Sequence, residues 1–109
     1  MIICGGVNIY PQEAENRLVT HPDVADVAVF GIPHAEISEE VKAVVQLVKG
    51  VQPSPALAAQ LIDYCRETLA TLKCPRSIDF EETLPREENG KLYKRLLVER
   101  YRNAAAVTE

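Results

Sequence analysis

A chain of 109 residues can hold one modest hydrophobic core and is too short for two. Its composition, 47% hydrophobic and 26% charged, fits neither a disordered segment nor a disulfide scaffold. A net charge of −4 lacks the basic surplus that bulk nucleic-acid or anionic-membrane binding calls for.

No apolar run approaches a bilayer span. The start, Met1-Ile2-Ile3-Cys4-Gly5-Gly6, has neither the basic n-region nor the apolar length of a signal peptide. Cys4, Cys65 and Cys74 are odd in number and lack C-x-x-C spacing, which argues against a disulfide framework or zinc site and suits a cytoplasmic setting.

In chain order, Met1 to Cys4 reads as a short strand broken by Gly5-Gly6, where the backbone can turn sharply or approach something closely. Pro11 suits the first position of a helix. Glu13 and Glu15 lie in its first turn, Ala14 and Leu18 share one face, and Glu13 can pair with Arg17. His21-Pro22 closes that helix. Val24 to Ile32 is apolar on both alternating faces, Val27 and Val29 on one side and Ala28 and Phe30 on the other, which predicts a strand buried on both faces and central in its sheet.

The polar connection from Pro33 to Glu40 is short, so the next strand, Val41 to Val48, is expected to pair with it antiparallel. Ser54-Pro55 is an N-cap with a proline at N1. Ala58, Leu61, Ile62, Cys65, Leu69 and Leu72 recur at helical spacing up to Cys74-Pro75. Ile78 and Phe80 mark a third strand. A last helix carries Leu92, Leu96, Leu97 and Tyr101, and residues 104–109 read as a frayed tail. The expected fold is α+β: a small mixed three-stranded sheet flanked by three helices, with a short N-terminal hairpin.

One stretch stands apart. In Leu84-Pro85-Arg86-Glu87-Glu88-Asn89-Gly90-Lys91 a short polar turn presents Lys91 at its tip, where an ammonium can reach outward to an anion. By itself a turn lysine is a solvated charge, and Gly5-Gly6 is a turn with neither G-x-G-x-x-G nor G-x-x-x-x-G-K-[ST] around it. Lys94 and Arg95 read as helix-surface charges, Glu36, Glu39 and Glu40 as solvated loop charge, and His21 and His34 as loop histidines without ligand-spaced partners. Cys4 reads as a small buried residue rather than a nucleophile.

Taken together, residues 2–15 (IICGGVNIYPQEAE) and the Leu84-Pro85-Arg86 to Gly90-Lys91 segment resemble the adenylate-forming enzymes, the superfamily of acyl-CoA synthetases, non-ribosomal peptide adenylation domains and firefly luciferase. Residues 21–29 and Lys73-Cys74-Pro75-Arg76 are most similar to medium- and long-chain acyl-CoA synthetases. The resemblance covers essentially the whole chain but only the mobile C-terminal lid domain of such an enzyme, with Met1 falling at a natural domain boundary. It implies a two-step reaction: a carboxylic acid, for this branch a fatty acid, and ATP give an acyl-adenylate and pyrophosphate, and the thiol of CoA then displaces AMP. It implies Lys91 as the catalytic lysine of the first step and Gly5 and Gly6 as lining the pantetheine path of CoA in the second.

ATP and CoA would be substrates of the whole enzyme. The phosphate loop, the Mg2+-holding acid and the acyl tunnel belong to a large N-terminal adenylation domain not matched here, so the chain alone is expected to make no adenylate and to hold no metal. A departure from the family is Glu87-Glu88-Asn89, where small neutral residues are usual; two carboxylates beside the lysine lower its positive potential unless they point away. Two further readings stay open at this stage: a free-standing module that binds CoA, a carrier-protein arm or a protein partner, and a structural remnant with an interaction surface only.

Overall fold

The computed structural model describes residues 2–90, 92 and 94–107, the last five as backbone. In chain order its elements are β1 (Ile2–Cys4), β2 (Val7–Ile9), α1 (Pro11–Leu18), β3 (Val24–His34), β4 (Ser38–Leu47), α2 (Pro55–Arg66), a 3-10 turn (Thr71–Lys73), β5 (Ser77–Phe80) and α3 (Lys94–Val107). β3 and β4 pair antiparallel from Val24↔Leu47 to His34↔Ser38, and β5 runs parallel to β4. The sheet is mixed, as expected. It has five strands rather than three, because the β1–β2 hairpin joins β4 through Cys4↔Ser38.

Alternation along β3 and β4 sorts two cores. Val27, Val29, Val41, Ala43 and Val45 face α1 and α2, packing with Ala14, Leu18, Leu57, Leu61 and Cys65. Ala28, Phe30, Ile32 and Val44 face α3 and pack with Leu84 and Leu97. The result is three layers: two helices, the sheet, one helix.

β3 corrects one expectation. It is buried on both faces yet lies at the edge of the sheet, with β4 as its one neighbouring strand in the ladder. Helices covering both faces give an edge strand the apolar pattern of a central one. The central strand is β4, which β1, β3 and β5 all pair with.

The helices depart from expectation at their ends. Ser54 caps α2 as predicted, its hydroxyl accepting from the Leu57 N–H at 3.0 Å, a contact typically worth about 1 kcal/mol. The helix ends at Arg66, not near Leu72. The N–H groups of Thr68 and Leu69 both donate to the Cys65 carbonyl, and Ala70 then turns extended, so Leu72 lands in the 3-10 turn and is 44% exposed. Leu96 is exposed as well; Leu97 is fully buried, and Leu92, Val98 and Tyr101 pack around it. Residues 104–107, expected to fray, continue α3. Glu13 and Arg17 do not pair with each other: Glu13 meets Lys73 at 3.2 Å and Arg17 meets Glu67 at 3.3 Å.

Lys42 is the buried charge of the sheet. Its ammonium lies 3.0 Å from Asp79, 3.2 Å from the Ser77 hydroxyl and 5.4 Å from the centre of the Tyr101 ring. Tyr101 donates to Glu81 at 3.1 Å; burial above all, then that hydrogen bond, raises its phenol above the ordinary range. β5 and α3 thus neutralise an ammonium that β4 carries under the helix.

Candidate functional site

Gly5 and Gly6 form the whole loop of the β1–β2 hairpin, closed by the Cys4↔Val7 pair. Their φ values, +58° and +83°, are both positive, the pattern of a type I′ turn, which matches the right-handed twist of the flanking strands. The turn alone therefore asks for glycine or asparagine there. The Gly5 N–H donates to the Ile37 carbonyl at 2.8 Å, fixing the hairpin tip to the loop ahead of β4. Gly6 has nothing within 4 Å of the point where a Cβ would stand.

Gly5 also lines a cleft of about 720 Å³ between the hairpin and the α2–β5 side of the domain. Its floor includes Val41, Ile62, Leu72 and Pro75, and Arg66 and Arg76 stand at its polar margin. An apolar floor with a bare glycine backbone at one wall suits a slender, mostly apolar arm. Cys74 lines the same cleft, and Cys65 is fully buried beside it. Burial, with the nearby Cys74 as second cause, pushes the Cys65 thiol up to about 12, and burial raises Cys74 too. Both are inert thiols at neutral pH. Cys4 is buried, as expected.

The second loop is held at both flanks. Arg86 ion-pairs with Asp26 of β3 and donates to the Gly90 carbonyl at 2.9 Å. The Gly90 N–H donates to the Glu87 carbonyl at 2.8 Å, Gly90 has φ +83°, and Arg86 and Leu92 form an isolated antiparallel bridge. Beyond the loop, Lys94 meets Glu15 of α1 at 2.7 Å. Lys91 itself lies outside the described residues. Glu87 and Glu88 are exposed.

Sequence reasoning missed the residues that fasten these loops. Glu39, read as solvated loop charge, accepts from the Ile3 N–H at 3.1 Å and pairs with Arg102 of α3 at 2.8 Å. Lys94, read as a surface charge, is half-buried in its pair with Glu15. Asp26 carried no local signal and Glu15 only that of an acid near a helix start; their partners lie 60 or more residues along the chain. His21 is a loop residue as expected, its Nδ1 accepting from the Asp23 N–H at 3.1 Å; His34, expected in a loop, is instead the last residue of β3, paired with Ser38, and its Nδ1 accepts from the Glu36 N–H at 3.1 Å.

The described residues form a small three-layer α+β domain that displays a glycine hairpin and a polar turn on fastened flanks. Comparison with known proteins gives the family. The model of the AMP-binding enzyme C-terminal domain matches residues 13–91, and the chain belongs to that family. It is 37% identical over 101 residues to the long-chain-fatty-acid–CoA ligase FadD13 of Mycobacterium tuberculosis, covering 93% of this chain and 19% of the ligase. With a long-chain-fatty-acid–CoA ligase of Bacillus subtilis it shares 38% identity over 99 residues, 91% of this chain and 17% of that protein. The crystal structure of an acyl-CoA synthetase from Brucella canis superposes with a TM-score of 0.86 at 36% identity, over 91% of this chain and 18% of the synthetase. The chain thus spans about a fifth of the length of the curated relatives it matches. Among the described residues no helix is long and apolar enough to cross a membrane.

Proposed function

We propose that this chain is the mobile C-terminal domain of an AMP-forming acyl-CoA synthetase, working on a fatty or related carboxylic acid, ATP and CoA together with a large adenylation domain. The observation that carries this reading is the match of residues 13–91 to the AMP-binding enzyme C-terminal domain, in a chain similar to acid–CoA ligases several times its length. Catalysis then needs two polypeptide regions, and the domain alone forms no adenylate. Magnesium is assigned to the large domain, as the resemblance to acyl-CoA synthetases implies.

In the first step a carboxylate oxygen attacks the α-phosphorus of ATP, the bond to the bridging oxygen breaks and pyrophosphate leaves. Charge spreads over the attacking, bridging and equatorial oxygens, and positioned cations stabilise it without proton transfer. Lys91 is the residue assigned to this task. In the second step the CoA sulfur attacks the acyl carbon, the carbon–oxygen bond to AMP breaks, and a thioester remains. Gly5 is assigned to the pantetheine path because a side-chain-free wall meets the cleft there. Rotation of the domain between steps, with lid closure of this kind running on the microsecond-to-millisecond scale, brings one loop after the other to the reacting centre.

The test joins residues 1–109 to the large domain of the M. tuberculosis ligase in place of its own matching region, and measures the two half-reactions separately. Lys91→Ala is expected to slow adenylation by about 10²–10³-fold, the usual cost of one preorganised charge. Adenylation at the unsubstituted rate in that variant refutes the role given to Lys91.

A further inference from the structure

Among the described residues, the edges left unpaired by the sheet include the outer side of β3 and the part of β1 beyond its single pair with β4, Cys4↔Ser38. Backbone N–H groups on such edges need acceptors. Three carboxylates supply them, and each also holds a cation from the C-terminal part of the chain. Asp26 accepts from the Val27 N–H at 2.9 Å and pairs with Arg86. Glu15 accepts from the Val29 N–H at 2.9 Å and pairs with Lys94 at 2.7 Å. Glu39 accepts from the Ile3 N–H and pairs with Arg102, whose Nε donates to the Gly31 carbonyl at 3.3 Å.

The third of these has a space made for it. A Cβ on Gly31 would stand 2.6 Å from Glu39 Oε2 and 3.0 Å from Ile2 Cγ2, so only glycine there leaves the carboxylate and β1 in place. The three are not spread evenly. Asp26 and Glu15 grip the two flanks of the loop that carries Lys91, whereas Glu39 grips the hairpin that carries Gly5 and Gly6.

We propose that Asp26 with Glu15, and Glu39, are positioning residues for separate half-reactions: the first two for adenylation, the third for thioester formation. The proposal rests on the reading above. Asp26 and Glu15 each tie a β3 amide to a cation beside the Lys91 loop, while Glu39 ties β4 to the Ile3 amide of the hairpin, its second oxygen holding Arg102 about two turns along α3 from Lys94.

The test is a crossed comparison in the joined enzyme. Asp26→Asn is expected to slow adenylation about tenfold and to leave thioester formation from preformed acyl-adenylate within about twofold, a 1 Å misplacement being able to cost up to about 10²-fold. Glu39→Ala is expected to do the reverse and to raise the KM for CoA, and Glu39→Gln, which keeps an oxygen for the Ile3 N–H, to recover most of the loss. Equal slowing of both steps by either variant, or no slowing at unchanged melting temperature, overturns the proposal. Lys91→Ala and Gly5→Asn run beside them. If those two lose no half-reaction, the functional reading fails; if they lose theirs and the carboxylate variants do not, this inference alone fails.

Amide exchange on the 109-residue chain decides the matter independently of activity. In the unsubstituted chain the Ile3, Val27 and Val29 amides are expected to be protected at least about tenfold over open amides. Asp26→Asn should then speed exchange around residues 86–90 only, and Glu39→Ala around residues 3–8 only. Unprotected amides at those three positions, or loss of protection at both loops together, overturns the proposal even where a joined enzyme is inactive or a variant unfolds.

Discussion

Gly5→Asn separates the two reasons for a glycine at the hairpin tip. The turn needs positive φ at both central positions, and +58° and +83° lie in the left-handed region, where an ordinary L-residue is strained by about 1–2 kcal/mol. Gly5→Ala therefore lowers the melting temperature, by roughly 4–8 °C for each kcal/mol in a domain of this size. Asparagine tolerates the left-handed region, and Asn-Gly is a favoured pair for this turn type, so Gly5→Asn keeps most of that stability. Its side chain has room to stand, since a Cβ at Gly5 would meet Ile37 Cγ2 at an ordinary 4.0 Å.

What changes is the cleft wall, from bare backbone to a protruding amide. If the pantetheine arm passes there, thioester formation falls by about 10–10²-fold while adenylation stays within twofold. The assay is single-turnover consumption of preformed acyl-adenylate by CoA in the joined enzyme, with pyrophosphate exchange for the first step and thermal melting for stability. A stable Gly5→Asn enzyme forming thioester at the unsubstituted rate would show that glycine serves only the turn.

Three other predictions concern stability. Ser38, at φ +72°, is the one non-glycine residue with positive φ among those described, and Ser38→Gly should relieve that strain, less the chain entropy glycine costs, for a net gain of about 0.5–1 kcal/mol and a higher melting temperature. Leu97→Ala empties the centre of the α3 core, where the leucine is fully buried, and should lower the unfolding free energy by about 2–5 kcal/mol in urea titration. The Cys65 thiol, pushed from 9.0 up to about 12, binds its proton more tightly folded than unfolded. Its contribution is therefore whole below pH 9 and lost as pH rises towards 12, by at most about 1.4 kcal/mol per unit; urea midpoints from pH 8 to 11 should fall less steeply in Cys65→Ala.

Much of the fold was legible because it depends on period and punctuation. Val27 and Val29 against Ala28 and Phe30 named the two faces of β3, and Ser54-Pro55 fixed the start of α2. What escaped depended on contacts distant in sequence. Burial on both faces does not distinguish a central strand from an edge strand roofed twice, so β3 was misplaced and β4 overlooked as the centre. Lys42 alternates like an outward residue; only Asp79 and Tyr101, arriving from β5 and α3, make its burial tolerable. The glycines of the hairpin were visible, but Asp26, Glu15 and Glu39 were not, because an acidic residue means nothing locally until Arg86, Lys94 and Arg102 are folded against it.

On the proposed function, that arrangement bears on how a domain with two loops can serve two steps. A rigid-body rotation delivers each loop accurately only if the loops keep a fixed relation to each other as the domain turns. The hairpin is fastened to β4, through Cys4↔Ser38 and Glu39, and the second loop to β3 and α1, through Asp26 and Glu15. β3 and β4 are joined along nearly their whole length, with a register shift only between Val24 and Asp26, and helices pack on both faces of the pair. The base of each loop is tied to the paired strands. Precision in both steps then follows from one ladder, and weakening a single tie should degrade one step while the ladder, and the other step, survive.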